Sequence, residues 1–157
     1  MYEKNIFLNS EKINYFKEDI ISELIPLSSN KPNVSDILDF FISPEIIDYK
    51  IINTIESVSE DGTNFTGINL AIYLRLKENF IYSSNLKGNP VHIFNYTSYK
   101  TASIILPKQI KCYPIEDLVK FNKIQIFTSL RNHHIRLINQ REFFTCSLLF
   151  SEVKFSI

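Results

Sequence analysis

Residues 68–77 read Ile-Asn-Leu-Ala-Ile-Tyr-Leu-Arg-Leu-Lys, with apolar side chains at Ile68, Leu70, Ile72, Leu74 and Leu76 and mostly polar ones between them. Successive side chains of a strand point to opposite faces, so this two-residue period predicts a strand that buries one face. Extended in both directions, the pattern predicts a strand over Thr66–Tyr82, too long to stay flat and bent near Glu78-Asn79.

Outward from this stretch the strand signals continue. Upstream, Ile46–Ser57 reads as a long strand, joined through SEDGTN, whose Asp61-Gly62 pair tolerates positive φ. Downstream, SSNLKGNP forms a turn, and Val91–Leu106 is an extended run closed by Pro107. Phe121–Leu130 sets Asn122, Ile124, Ile126 and Thr128 opposite Lys123, Gln125 and Ser129, and Phe143–Phe155 places Phe144, Cys146, Leu148 and Phe150 on one face. Five or six long strands in hairpin succession predict a mainly β fold, an antiparallel β-sandwich or partly closed barrel.

The N-terminal part is ambiguous. EKINYFKEDIISELIPL spaces Ile13, Phe16, Ile20, Ile21, Leu24 and Ile25 near a helical period, with Pro26 as a stop, while its β-branched isoleucines favour an extended arm. Residues 1–25 are therefore expected to be a short N-terminal helix or arm, and residues 26–157 one β domain. Within VSDILDFFISPEIID, Ser35 could cap a short helix running through Phe41 and ended by Pro44.

At 157 residues and 45% hydrophobic content the chain suits a single packed core. Only three glycines and two alanines, Ala71 and Ala102, accompany abundant Ile, Phe and Tyr, a composition that favours strands over helices. No apolar run approaches the roughly 18 to 20 residues needed to span a bilayer, and Met1–Asn5 lacks the pattern of a secretion signal. The expected location is cytoplasmic at synthesis. The Asn-X-Ser/Thr triplets at Asn33, Asn64 and Asn95 are read as incidental.

Basic and acidic side chains both number 17, so no global charge recommends nucleic acid as a partner. The distribution is uneven: residues 1–61 hold 5 basic and 12 acidic side chains, residues 100–157 hold 9 and 4. Arg131, Arg136 and Arg141 with His133, His134, Tyr113, Phe143 and Phe144 could make a basic aromatic patch, but net neutrality argues against that use.

Residues with chemistry to offer are scattered. Adjacent His133 and His134 on a strand point to opposite faces, and no His or Cys cluster has zinc spacing. Cys112 and Cys146 read as free thiols, Glu60-Asp61 and Glu116-Asp117 as turn carboxylates, and three glycines leave little material for a phosphate loop. No cofactor and no catalytic residue are expected. Aromatic rings give the better signal: Tyr73 falls on the polar side of its strand, and Val91–Lys100 carries Phe94 and Tyr96 in one register and Tyr99 in the other. A strand wet on one face does not need rings in both registers, so Tyr73, Phe94, Tyr96 and Tyr99 are the candidate partner-binding residues unless both faces are covered from within the chain.

The order of Lys31-Pro32-Asn33-Val34 before Ile37-Leu38, then Ile81-Tyr82, Pro90-Val91-His92 and Ile105-Leu106-Pro107, resembles the SPOCS domain of clostridial proteins over roughly residues 26–155. That family includes spore-envelope morphogenetic proteins and freestanding members such as the smallest OrfX proteins of botulinum-type neurotoxin gene clusters. The resemblance implies a non-enzymatic interaction subunit of a clostridial assembly, partnered by a larger OrfX-type or spore-envelope protein and located in a released toxin complex or the spore envelope. It implies no catalytic residue. Asn33 departs from the acidic residue more usual there, which weakens any charge-dependent role for that box. The alternative is a small-ligand or lipid-binding β protein, since a sandwich rich in Ile and Phe can enclose an apolar cavity.

Overall fold

The computed structural model describes residues 12–157. The chain runs β1 (Lys12–Pro26), β2 (Val34–Asn53), β3 (Ser57–Val58), β4 (Asn64–Phe65), β5 (Ile68–Ser84), β6 (Val91–Leu106), β7 (Gln109–Ile110), β8 (Tyr113–Pro114), α1 (Ile115–Lys120), β9 (Ile124–Asn139) and β10 (Glu142–Ser156). The six long strands form two three-stranded antiparallel sheets, ordered β1-β10-β9 and β2-β5-β6. Their inner faces share one core, so the fold is a sandwich of two open sheets and not a closed barrel. Edge strand β1 lies beside β6 along one side, and β2 beside β9 along the other.

The opening stretch occupies β5, the central strand of its sheet. Leu70, Ile72, Leu74 and Leu76 are buried, and Tyr73, Arg75 and Lys77 face outward, as the two-residue period requires. Central strand β10 does the same with Phe143, Leu149, Val153 and Phe155.

Two segments that the sequence leaves open between helix and extended chain are strands, and the helical alternative is corrected in each. Lys12–Pro26 is a strand paired with β10 along its whole length, so the segment ahead of residue 26 is part of the sandwich; residues 1–11 lie outside the described residues. Its apolar residues approach a helical period because both registers are apolar: Ile21 and Ile25 point inward, Phe16, Ile20 and Leu24 outward. Val34–Asn53 is likewise one long strand that passes through Pro44. As an edge strand, β2 has one side with no ladder to make, where a missing N–H is tolerated. The short helix is α1, with Ile115 and Leu118 in the core and Glu116 and Asp117, expected in a turn, in its first turn.

Apolar residues fall into two clusters. The larger holds the Leu70–Leu76 face with Ala102, Ile104, Leu106, Leu149, Val153, Phe155 and the helix contacts. The smaller holds Ile25, Leu27, Val34, Phe80, Tyr82, Phe94 and Phe143, with the Phe80 and Phe143 rings stacked at 4.5 Å. Between them four of the six strands place polar residues at the same level: Glu23 on β1, Glu78 on β5, Ser98 on β6, and Thr145 and Ser147 on β10.

Candidate functional site

The four candidate rings do not share a surface. Phe94 and Tyr96 point between the sheets; Phe94 is 5% exposed and packs at 5.7 Å against Phe80 and 6.2 Å against Phe143. Phe94 is therefore a core residue and is withdrawn from the docking set. Tyr73 and Tyr99 lie on the outer face of the β2-β5-β6 sheet, where Lys50 sits 5.5 Å above the Tyr73 ring and Tyr99 is 66% exposed. Rings occur in both registers of β6 chiefly because its inner face is part of the core.

The surroundings of Tyr73 and Tyr99 are polar. Arg75 donates to both oxygens of Glu45, at 3.1 and 2.8 Å, and Lys77 Nζ lies 2.9 Å from Oε2. These hydrogen bonds, Arg75 first, hold the Glu45 carboxyl down at about 2.

The outer face of the β1-β10-β9 sheet has the opposite character. Phe16, Ile20 and Leu24 on β1 are 67%, 77% and 55% exposed. They flank Phe144, Cys146, Leu148 and Phe150, which are half-buried on the outer side of β10. Phe127, Arg131, His134 and Arg136 continue the face on β9. Phe16 stacks on Phe150 at 5.9 Å, and three cations lie over rings: Arg131 at 5.3 Å from Phe150, Arg136 at 5.6 Å from Phe144 and Lys154 at 4.9 Å from Phe127. Folding leaves this apolar surface uncovered among the described residues, and a contiguous exposed patch of this kind is characteristic of an interaction site. The sequence carries this signal as apolar residues in both registers from Phe16 to Ile25, a pattern that fits an extended arm as well as a helical period.

The basic aromatic cluster of the sequence is divided by the fold. Arg131, Arg136, His134 and Phe144 share the outer face, while Phe143 is in the core. Arg141 instead clamps the β1–β2 loop: Nη1 donates to Lys31 O at 2.6 Å and Asn33 Oδ1 at 3.2 Å, and Nη2 to Ser28 O at 2.7 Å and Leu27 O at 3.3 Å. The Lys31-Pro32-Asn33 box completes this junction, with Lys31 Nζ donating to Ile93 O at 2.9 Å and Tyr82 Oη to Pro32 O at 3.2 Å. Asn33 Nδ2 donates to Gln140 Oε1 at 3.2 Å, so the amide does there what a carboxylate could not.

The remaining polar groups occupy separate surroundings. His92 Nε2 lies 3.2 Å from Ser84 Oγ with its ring against Tyr82, His133 Nδ1 lies 3.0 Å from Ser147 Oγ, and Glu116 Oε1 accepts from Asn53 Nδ2 at 3.1 Å. His133 and His134 do point to opposite faces, beside a bulge between Arg131 and His134 at which Asn132 has φ of 51°. Both cysteines are free, Cys112 exposed and Cys146 half-buried. Among the described residues no group of three or more His, Cys, Asp or Glu is placed to hold a metal, and no helix is long and apolar enough to cross a membrane.

Three grooves of about 410, 360 and 290 Å³ lie at the β1–β6 seam, the β2–β9 seam and beside α1, all open to solvent. None is an apolar chamber between the sheets. No known protein family, curated protein or solved structure matches this chain.

Proposed function

We propose that this protein is a non-enzymatic assembly subunit that binds a partner protein through the outer face of its β1-β10-β9 sheet. The observation that carries the reading is the run of exposed and half-buried rings and aliphatics from Phe16 to Arg136 with cations laid over the rings; the other outer face is ion-paired around Glu45, and its exposed Phe41, Val91 and Ile93 lie toward one end of the sheet. Arginine and phenylalanine are enriched at interface centres, and an arginine over a ring presents a flat surface that still has donors to spare. The partner suited to this face has an apolar centre flanked by carboxylates opposite Arg131 and Arg136. The likeness to SPOCS domains supplies a partner class, a larger OrfX-type or spore-envelope protein of a clostridial assembly.

Purification from the native host with the partner identified, followed by cross-linking, tests this directly. Cross-links should fall on β1, β9 and β10, and Ile20→Glu should weaken capture on the order of tenfold or more while leaving the fold intact. A strictly monomeric protein that retains no partner, or one whose partner maps to Tyr73 and Tyr99, would refute the reading. Native mass spectrometry showing a bound lipid would favour the ligand-carrier alternative, for which the sandwich interior offers no preformed chamber in the grooves described.

A further inference from the structure

The polar layer between the two core clusters holds two acids and one nearby cation at the β1–β6 seam. Glu78 on β5 is 1% exposed and sits between Leu76 and Phe80, and its Oε2 accepts no hydrogen bond among the described residues. Its other oxygen has only a long contact, 3.4 Å, from Ser98 Oγ on β6. Glu23 on β1 approaches from the facing sheet with an Oε2 that is also buried and accepts no hydrogen bond among the described residues; the Lys100 ammonium on β6 lies 3.3 Å from that oxygen. That separation is an ion-pair contact whose geometry falls short of a hydrogen bond. The remaining groups around the acids are Tyr96 on β6, cross-strand from Glu78; Ile42, the β2 neighbour; and Thr145 and Ser147 on β10, the latter engaged by His133 of β9. Lys17 and Asp19 of β1 line the same seam farther along, around the 410 Å³ groove that also reaches Lys100.

Two carboxylates beside one ammonium leave an uncompensated charge in a place where burial makes charge costly. One added proton removes it, giving a neutral Glu78 acid next to a Glu23–Lys100 ion pair. We propose that Glu23, Glu78 and Lys100 form a proton-operated latch between the two sheets, which holds one proton when β1 is closed against β6 and loosens the seam when that proton leaves. Glu23 and Lys100 keep 17% and 28% of their side-chain surface exposed, so solvent reaches the edge of the cluster beside Glu78. Burial first, and then the Glu23 charge, raise the Glu78 carboxyl to about 7, while Ser98 and Lys100 pull the other way.

Carbon-13 titration of the glutamate carboxyls in the intact protein, with amide exchange of β1 and β6 followed over the same pH range, tests the latch. Expected are one carboxyl titrating near 7, exchange at the seam that rises through the same transition, and a Glu78→Gln protein whose seam exchange no longer follows it. Glu23→Gln should shift the Glu78 midpoint down and Lys100→Met should shift it up. A wild-type Glu78 that titrates in the ordinary carboxylate range overturns the proposal, as does pH-dependent seam opening that persists in Glu78→Gln. Should that variant not fold, the wild-type titration and its coupling to exchange decide alone.

Discussion

Arg141 ties the β9–β10 turn to the β1–β2 loop, far away in sequence, with charge-assisted bonds to the backbone carbonyls of Leu27, Ser28 and Lys31. Arg141→Ala is expected to lower stability by about 2 kcal/mol in urea unfolding, and Arg141→Lys to restore only part of it, because an ammonium cannot span the same fork. Glu78 sets a pH dependence of definite sign. Its proton is held more tightly in the folded state, at about 7 against the ordinary 4.5, so its contribution is fully present below 4.5 and is lost as pH rises to 7. The loss is at most about 3 kcal/mol at 1.36 kcal/mol per unit, reduced by whatever solvent screens the seam, and is readable as a falling unfolding midpoint across that window. Nothing in the sequence around Glu78 announces this, since Lys77-Glu78-Asn79 reads as a polar bend; only the meeting of β5 with β1 puts a second acid beside it.

The long strands were legible wherever one face is buried and the other wet. Val91–Leu106 was bounded correctly, and the β5 and β10 alternations hold to within two residues at each end. Legibility failed at the edge strands. β1 lost its period because its exposed register is as apolar as its buried one, and β2 because Pro44 reads as a stop unless the strand is known to have an unpaired side. β9 was cut short at Leu130 because the bulge at Asn132 breaks the alternation. A sharp turn is also measurable at this scale. Gly67, just before β5, has φ of 83°, and a Cβ there would meet Thr54 O at 3.0 Å and Glu56 Cγ at 3.2 Å. Gly67→Ala should cost about 2 kcal/mol in thermal unfolding, more than Gly62→Ala, where φ is similar but the surrounding space is open.

At the scale of the whole molecule, the two outer faces make different demands. The Glu45–Arg75–Lys77 cluster on one face is at home in water, whereas the Phe16–Phe150 stretch on the other gains by being covered. The two free thiols report on this. Cys146 lies among Phe144, Leu148 and His134 on the apolar face, and Cys112 stands exposed elsewhere. Partner binding should slow alkylation of Cys146 severalfold and leave Cys112 unchanged; equal protection of both, or of neither, would place the partner on another surface.

The pairing of β1 with β10 has a consequence in time. A ribosome releases Lys12–Pro26 long before it has made Glu142–Ser156, the ladder partner of this early segment among the described residues. For that interval a ribbon carrying Phe16, Ile20 and Leu24 waits with both edges and both sides unprotected, which is the condition in which nascent chains recruit chaperones or cluster on polysomes.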